Sequence, residues 1–248
     1  MTDYIMINIQ NVVKKFKIQH EKKSSLSDHL LTRSKKNNST EELMVLDNVS
    51  FSVKKGEMIG LIGRNGSGKT TLLRLIANIF KPDSGTITVN GTIVPLLELG
   101  TGFQGDLTAR DNIIQYGVIL GFTKKEISKK VDDVLKFAEL EKFGDTRTRN
   151  FSSGMIARLA FSTAIQINPD ILLVDEVLAV GDIPFQKKSF DKFLELKKNK
   201  TIVYVTHNVD AVKQLCDRGI FLDKGKIEKI GDSEEVVNAY LSSLNENS

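Results

Sequence analysis

The sequence predicts an α/β protein with a parallel sheet at its centre. Short apolar segments alternate with helix-like segments through the middle of the chain, which is the order expected of strand–helix–strand units. Two of these segments, "DILLVDE" (170–176) and "TIVYVTH" (201–207), are largely apolar, as strands buried on both faces of a parallel sheet are. The N-terminal part is rich in strand patterns instead, and this predicts an added antiparallel layer.

The first elements in chain order are strands. Residues 5–18 and 43–56 show apolar alternation and many β-branched side chains, which predicts two strands. Residues 19–42 between them are polar and rich in Ser, Lys and Asn, which predicts a long exposed loop or a weak helix. "EMIGLIG" (57–63) is a short apolar strand, and it leads through a glycine-rich turn into a helix, "KTTLLRLIANIF" (69–80).

The later elements carry recognisable start and turn signals. "GTIVPLLEL" (91–99) is a strand candidate, and residues 123–140 predict a helix whose first turn is a capping box of Thr123 and Glu126. Another helix should follow "FSSGM" and end near Ile167. A hairpin is expected at Asp223-Lys224-Gly225, and Ser233 is expected to cap the last helix.

The composition limits the class of protein. The 248 residues include 40% hydrophobic and 27% charged side chains, the balance of a globular protein. A net charge of +4 does not by itself indicate nucleic acid, and we expect no such partner. The single cysteine, Cys216, excludes a disulfide framework and favours a reducing compartment. We expect a cytosolic protein, since no apolar stretch approaches the roughly 18 residues that span a bilayer and no signal-peptide pattern is present.

A phosphate-binding motif follows the strand at 57–63. "GRNGSGKT" (63–70) fits G-x-x-x-x-G-K-[ST] between an apolar strand and a helix. Its glycines allow backbone N–H groups to surround phosphate oxygens, and the helix adds its positive end. Lys69 is expected to reach the β- and γ-phosphates and Thr70 to ligate Mg²⁺; the alternative is a glycine-rich turn with an incidental lysine. The predicted nucleotide-binding residues are Gly63, Arg64, Asn65, Gly66, Ser67, Gly68, Lys69, Thr70 and Thr71.

The strand "ILLVDE" ends in two adjacent carboxylates, Asp175 and Glu176. Asp175 is expected to complete the Mg²⁺ site. Glu176 is the candidate general base for an attacking water, and a solvated surface carboxylate is the alternative. The two motifs together indicate a P-loop nucleotide hydrolase without choosing among kinases, GTPases, helicases and transporters.

The order "GRNGSGKT", "FSSGM", "ILLVDE", "VGD", "THN" resembles an ABC-type ATPase subunit over about residues 5 to 240. In that family a five-residue signature precedes the carboxylate strand, where Phe151–Met155 lies here. Phe-Ser-Ser-Gly-Met departs from the usual Leu-Ser-Gly-Gly-Gln at both ends, and we expect Ser153 and Gly154 to act as its retained serine and glycine. The resemblance implies one ATPase domain over residues 1–248, with a parallel-sheet core, an N-terminal antiparallel layer and a helical subdomain at about 100–165.

The resemblance also implies roles for isolated residues. His207 matches the switch histidine and lies after the last core strand, where ligands bind in parallel sheets. Gln104 matches a contact to Mg²⁺ and the attacking water, and Asp182 lies in the D-loop. Phe16 matches an aromatic side chain that stacks on adenine, and core packing is its alternative.

The signature residues Ser152, Ser153 and Gly154 are expected to act on a second copy of the chain. ATP and Mg²⁺ would be held by one subunit, and the signature of its partner would close over the γ-phosphate. This makes ATP the link of a two-fold homodimer. The motion after hydrolysis would drive integral-membrane permease subunits, which we expect to dock near residues 100–122.

Several segments resemble the ATPase subunits of polysaccharide exporters. These segments are "LLELGTGFQGDLT", "SSGM", "EVLAVGD" and "FQKK", together with the polar insertion. The resemblance implies export of a lipid-linked surface glycan through the permease, from the cytoplasmic side of the inner or cell membrane. Some members carry a C-terminal carbohydrate-binding domain, and we expect none here because the sequence ends soon after its last helix.

Three alternatives remain open. An ATPase subunit of another ABC importer or of a drug exporter fits the same motifs. A soluble ABC ATPase acting on DNA or ribosomes fits less well, because such proteins usually carry two cassettes or a long coiled-coil insertion. A nucleotide-binding module without hydrolysis is disfavoured by the pair Glu176 and His207.

Overall fold

The computed structural model describes residues 4–19, 40–97, 99–175 and 180–245. Its strands are β1 (Ile5–Gln19), β2 (Thr40–Lys54), β3 (Met58–Ile62), β4 (Ser84–Val89), β5 (Ile93–Leu96), β6 (Ile171–Asp175), β7 (Thr201–Val205), β8 (Arg218–Asp223) and β9 (Lys226–Asp232). Its helices are α1 (Lys69–Ile76), α2 (Ala109–Ile119), α3 (Lys124–Ser128), α4 (Val131–Ala138), α5 (Ser153–Gln166), α6 (Ile183–Lys197), α7 (Val209–Leu215) and α8 (Ser233–Asn245). Two 3₁₀ turns, Glu141–Phe143 and Thr148–Asn150, lie between α4 and α5.

The strands form two sheets. One has the order β2-β1-β4 and is antiparallel. The other has the order β5-β6-β7-β3-β8-β9, with parallel pairs from β5 to β8 and an antiparallel β8–β9 hairpin. The predicted α/β class, with a parallel core and an added antiparallel layer, is confirmed.

The central strands separate two hydrophobic clusters. In β6, Leu172 and Val174 join one cluster, whereas Ile171 and Leu173 join the other. Successive side chains of a strand point to opposite faces, so a strand covered on both sides must be apolar throughout. The first cluster packs the sheet against α2, α4, α5 and α6, and the second packs it against α1 and the antiparallel sheet.

The helix predicted over residues 123–140 is two helices. The capping box is present, because the Thr123 hydroxyl accepts from the Glu126 N–H while the Glu126 carboxylate accepts from the Thr123 N–H. The prediction of one continuous helix was wrong. The Ser128 hydroxyl donates to the Lys124 carbonyl at 2.7 Å, a local bond of the kind that competes with helix continuation, and α4 begins only at Val131.

Two other helix ends differ from the prediction. Helix α1 ends at Ile76 because Asn78 takes a left-handed conformation, φ 57°, and the Ile79 N–H returns to the Arg74 carbonyl at 2.9 Å. At the last helix, Asp232 rather than Ser233 supplies the cap. Its carboxylate accepts from the N–H groups of Glu234 and Glu235, and Ser233 is the first helical residue.

The predicted polar insertion, 19–42, is shorter at both ends than expected. Strands β1 and β2 remain paired up to Gln19 and Thr40, so of this segment only residues 20–39 lie outside the described part of the chain. The predicted helical subdomain at about 100–165 contains α2 to α5, which pack on one another beside the large sheet.

Candidate functional site

The phosphate-binding loop joins β3 to α1 in a conformation that needs glycine. Gly68, the residue before α1, has φ 106°, in the left-handed region that glycine adopts at little cost. A Cβ there would lie 2.8 Å from Leu46 Cδ2 and 2.9 Å from the Val45 carbonyl oxygen. The loop therefore packs directly on β2, and its close fit explains why the motif requires this glycine.

Two polar side chains of the loop are buried. Lys69 is only 7% exposed, and its ammonium donates to the Gly63 carbonyl at 2.7 Å and to the Arg64 carbonyl at 2.9 Å. The Ser67 hydroxyl is buried without a hydrogen-bond partner. A buried polar atom of this kind is costly unless something satisfies it. A held cation and an unpartnered hydroxyl at a helix N-terminus fit a bound phosphate.

Thr70 and Asp175 meet at the edge of the large sheet. The Thr70 hydroxyl in the first turn of α1 donates to Asp175 Oδ2 at the end of β6, at 3.1 Å. Hydroxyl and carboxylate oxygens are the ligands that Mg²⁺ prefers, and Mg²⁺ commonly takes one or two carboxylates with phosphates and water. Within the described ranges no group of three or more His, Cys, Asp or Glu side chains is arranged to hold a metal ion.

One cavity of about 550 Å³ brings most predicted nucleotide-site residues together. Its volume is within the range of ordinary ligand pockets. It is lined by Asn65, Gly66, Gly68, Lys69, Thr70, Thr71, Asp175 and His207, and by the apolar side chains Leu43, Val45 and Val205. Arg64 and Ser67 line a smaller neighbouring cavity with Asn65, Gly66, Asp223 and Lys224. The carboxyl ends of β6 and β7 thus meet the loop after β3, as expected of a parallel sheet.

The apolar lining was missed at the sequence level. Leu43 and Val45 lie on β2, and Leu43 is 47% exposed although it is large and apolar. The sequence shows only an apolar run, Leu43 to Leu46, and no local pattern assigns it to a cavity. These side chains offer an apolar surface beside the phosphate-binding groups.

Phe16 is absent from the lining of the cavity, and its predicted contact with adenine stays a prediction. Its ring is half-buried and packs edge-to-face on Phe80, with centroids 5.6 Å apart, and Lys14 Nζ lies 5.3 Å from its centroid. It pairs with Leu43 across β1 and β2, and directly opposed residues share a face of the sheet. Leu43, the other member of this pair, lines the cavity, so Phe16 lies beside its apolar wall.

Gln104 is exposed and lies outside the lining of the cavity. It stands between β5 and α2, and its backbone is fixed by the Asn112 side chain, whose Oδ1 accepts from the Gln104 N–H at 2.7 Å. Its predicted contact with Mg²⁺ and water stays a prediction.

The signature segment forms an open helix end. Ser152 is the N-cap of α5, and its hydroxyl accepts from the Met155 N–H at 3.2 Å. Ser152 and Ser153 are exposed, and Gly154 is half-buried. None of these three residues lines the cavity of its own chain. Asp182 is likewise a cap, since its carboxylate accepts from the Phe185 N–H at the start of α6.

Glu176, the predicted general base, lies outside the described residues, as do 177–179. Its role remains a prediction from its place directly after Asp175.

The fold and the nucleotide cavity define an ATP-binding cassette. Residues 46–179, more than half of the chain, match the family described as ABC transporter. The chain belongs to the ABC transporter family and is an ABC-type ATPase. In the part of the chain that the structure describes, no helix is both long and apolar enough to cross a membrane.

Among its relatives is the O-antigen export system ATP-binding protein RfbB of Klebsiella pneumoniae. It is 39% identical over 242 residues, which cover 96% of this chain and 98% of the relative. RfbB of Myxococcus xanthus is 41% identical over 96% of this chain, and the match spans 56% of that longer protein. The teichoic acids export ATP-binding protein TagH of Staphylococcus haemolyticus is 40% identical, over 95% of this chain and 88% of the relative.

Solved ATP-binding cassettes share the fold. The cassette MJ0796, in a dimeric post-hydrolysis state bound to ADP and phosphate, aligns with a TM-score of 0.70 and 24% identity, over 92% of this chain and 99% of that chain. An ATP-binding subunit of an ABC transporter aligns with a TM-score of 0.73 and 20% identity, over 98% of both chains.

Proposed function

We propose that the chain hydrolyses ATP in a two-fold dimer and so powers export of a lipid-linked surface polysaccharide through a membrane permease. The cavity that unites Lys69, Thr70, Asp175 and His207 carries the ATPase part of this proposal. The glycan part is supported by relatives named for O-antigen and teichoic acid export, which match over nearly the whole chain.

Binding of the nucleotide is assigned to the loop and to α1. The Lys69 ammonium and the N–H groups of the loop face the phosphates, and the Ser67 hydroxyl gains a partner there. The apolar surface of Leu43 and Val45 borders the same cavity. Thr70 and Asp175 would hold Mg²⁺, which would neutralise negative charge on the phosphate oxygens.

Water attacks the γ-phosphorus, and the bond between this atom and the oxygen that bridges the β- and γ-phosphates breaks. Glu176 is assigned as the base that accepts the proton of this water. His207 lines the cavity beside Asp175 and is assigned to the γ-phosphate and the attacking water. Asp182, whose carboxylate accepts from the Phe185 N–H at the start of α6, is assigned to the D-loop.

The γ-phosphate also needs the signature of a second copy. The first N–H groups of α5 have no partner within the helix, and Ser152 and Ser153 are exposed beside them. Since none of these groups lines the cavity of their own chain, a partner's nucleotide is their proposed ligand. A two-fold arrangement gives two equivalent composite sites.

The proposed permease contact is a groove beside the helical subdomain. Its volume is about 650 Å³, and it lies between α1, β5 and α2. Its lining includes Ile79, Phe80, Pro95, Leu97, Thr101 and Ile119, and Ile79 and Ile119 are more than half exposed. An exposed apolar groove of this kind favours a protein partner, and it overlaps the predicted docking region, 100–122. The chain would then be a peripheral protein on the cytoplasmic face of the membrane.

Deletion of the gene tests the proposal directly. We expect surface polysaccharide to disappear and to return with the wild-type gene but not with Lys69→Ala. The matched control is Lys142→Ala, which removes an exposed lysine on the 3₁₀ turn Glu141–Phe143 and should restore export. Normal polysaccharide with defective solute uptake or drug efflux would contradict the glycan assignment and leave the ATPase assignment standing.

A further inference from the structure

The side chain of Asn112 is a buried polar hub near the start of α2. Asn112 has no exposed surface. Its Oδ1 accepts from the Gln104 N–H at 2.7 Å, and its Nδ2 donates to the Gln104 carbonyl at 3.0 Å. The carboxamide thus holds both backbone groups of one residue in the loop that leads from β5 to α2.

The same amide nitrogen reaches the segment that precedes the signature. Nδ2 donates to the Thr148 hydroxyl at 3.0 Å, and this hydroxyl donates in turn to the Gln104 carbonyl at 3.0 Å. Nδ2 also lies within hydrogen-bond distance of the carbonyls of Leu107 and Thr108. Buried polar networks that are fully satisfied make a structure rigid, so Asn112, Gln104 and Thr148 form one fixed cluster.

Backbone hydrogen bonds extend this connection. Residues 104–110 and 144–149 form a short irregular ladder. Its bonds run from the Arg149 N–H to the Gly105 carbonyl, from Thr148 to Leu107, from Ala109 to Thr146 and from Arg110 to Gly144, all between 2.9 and 3.0 Å. An exposed ion pair, Arg149–Asp106 at 3.0 Å, closes its outer edge.

The connected unit touches both functional surfaces. At one end, Phe103 packs edge-to-face on Tyr116 with centroids 5.3 Å apart, and Tyr116 lines the apolar groove. At the other end, the Phe151 N–H donates to the Thr148 carbonyl at 3.0 Å, and Ser152 follows directly. Only a few residues therefore separate the hub from the groove and from the signature.

From this arrangement we infer that Asn112 is a positioning residue, which locks the Gln104 loop to the signature segment so that both move as one body. The inference rests on the proposed function, in which the groove receives the permease and the signature receives a partner's ATP. A displacement at the groove is then transmitted through this rigid unit to Ser152 and Ser153. Asn112 itself touches neither nucleotide nor permease in this scheme.

Two substitutions separate this role from general packing. Asn112→Asp keeps the shape of the side chain but places an oxygen where Nδ2 faces acceptor groups, so the hub loses its donor. Thr148→Val removes the hydroxyl while keeping the volume, and Thr148→Ser keeps the hydroxyl. Gln115→Glu is the control for Asn112→Asp, because it makes the same amide-to-acid change one turn along α2, at a residue that is only half-buried.

The primary measurement is hydrogen exchange in the purified full chain. Asn112→Asp and Thr148→Val should each raise exchange in both stretches, 104–110 and 144–152, while Thr148→Ser and Gln115→Glu should leave both protected. Should Asn112→Asp fail to fold, the pair Thr148→Val and Thr148→Ser decides the question alone. Increased exchange in only one of the two stretches would overturn the inference.

The kinetic measurement tests whether the connection between the Gln104 loop and the signature segment affects ATP hydrolysis. ATP affinity of the monomer should stay within about twofold of wild type in Asn112→Asp and Thr148→Val, whereas kcat with the co-purified permease should fall about tenfold. Equal losses of ATP affinity and kcat would show a general structural defect and overturn the inference, as would an unchanged kcat. If the wild-type chain shows no ATPase activity or no link to polysaccharide export, the proposed function fails, and hydrogen exchange still decides whether Asn112 joins the two stretches.

Discussion

Two helix N-termini are proposed to bind phosphate, and they differ in how many groups of their own chain surround them. The glycine-rich loop surrounds the N-terminus of α1. There the Lys69 ammonium donates to loop carbonyls, and the buried Ser67 hydroxyl has no hydrogen-bond partner. The N-terminus of α5 is open, and its cap, Ser152, is exposed. Both use the same helix-end electrostatics, but only the first is surrounded by its own chain. The difference indicates that a helix end becomes a site through the groups around it.

The largest effect is expected from removing the Lys69 ammonium at the N-terminus of α1. Lys69→Ala should weaken ATP binding to the isolated monomer by roughly a hundredfold, since a charged hydrogen-bond donor to phosphate contributes up to about 3 kcal/mol. Titration of a fluorescent ATP analogue measures this, with Lys142→Ala as the control. ATP binding within a few-fold of wild type would mean that the loop backbone alone holds the phosphates.

The next largest effect is expected from a substitution that blocks the N-terminus of α5. Ser153→Arg should leave ATP affinity of the monomer unchanged, because Ser153 does not line the cavity of its own chain. It should abolish ATP-dependent dimers and hydrolysis, since a large cationic side chain would occupy the space of the partner's γ-phosphate.

Light scattering with ATP and a phosphate-release assay measure these two outcomes. Ser242→Arg, a change of the same kind at an exposed position of α8, is the control. A loss of monomer ATP affinity as large as that of Lys69→Ala would refute the assignment across the interface.

Glu176→Gln tests the base directly. It should retain ATP binding, remove the proton acceptor for water, and so trap an ATP-bound dimer while hydrolysis stops. Single-turnover measurements of ATP cleavage check this expectation. Undiminished cleavage would remove Glu176 from the mechanism.

A smaller effect is expected from the cap of the open end. Ser152→Ala removes the acceptor of the Met155 N–H and should lower the free energy of unfolding by about 1 kcal/mol, the usual cost of losing an N-cap. Urea denaturation measures the change, and Ser242→Ala serves as the control. A decrease in hydrolysis much larger than this stability change would give the Ser152 hydroxyl a direct contact with phosphate.

The smallest expected effect is on the free energy of unfolding and comes from Asp170. Asp170 precedes β6, and hydrogen bonds from the Thr92 N–H and hydroxyl lower the pKa of its carboxyl group below the ordinary 3.8. Because the folded pKa is depressed, the stabilisation is present above the unfolded pKa and is lost as pH falls through the folded value. Asp170 is exposed, so the effect should stay under about 1 kcal/mol.

Asp170→Asn therefore should lower the free energy of unfolding at pH 7 and leave ATP affinity unaltered. Urea denaturation between pH 7 and pH 3 should show the difference from wild type shrinking at the acid end. A difference that is constant with pH would assign the stabilisation to something other than the charge.

Local motifs predicted much of the fold and of the nucleotide site. Lys69, Thr70, Asp175 and His207 line one cavity because each lies at or after the carboxyl end of a parallel strand, and these ends share one edge of the sheet. Their roles in binding and hydrolysis stay predictions. Thr123 and Glu126 formed the expected capping box because that motif depends only on residues three apart.

The features that sequence missed depend on distant partners. The Phe16 ring packs against Phe80, which is far along the chain, and no local pattern reveals that contact. Asn112 becomes a hub only because Thr148 folds beside it. Helix α2 was not predicted, since its apolar residues lie around much of its circumference and two of them, Val118 and Ile119, are exposed.

The separation between the complete α1 end and the open α5 end has a genetic consequence. In the proposed two-fold dimer, one Lys69→Ala subunit and one Ser153→Arg subunit would place both defects in the same composite site. The other site combines an intact loop with an intact signature. Two alleles that are each inactive alone would therefore complement each other in one cell, and two alleles of the same kind would not.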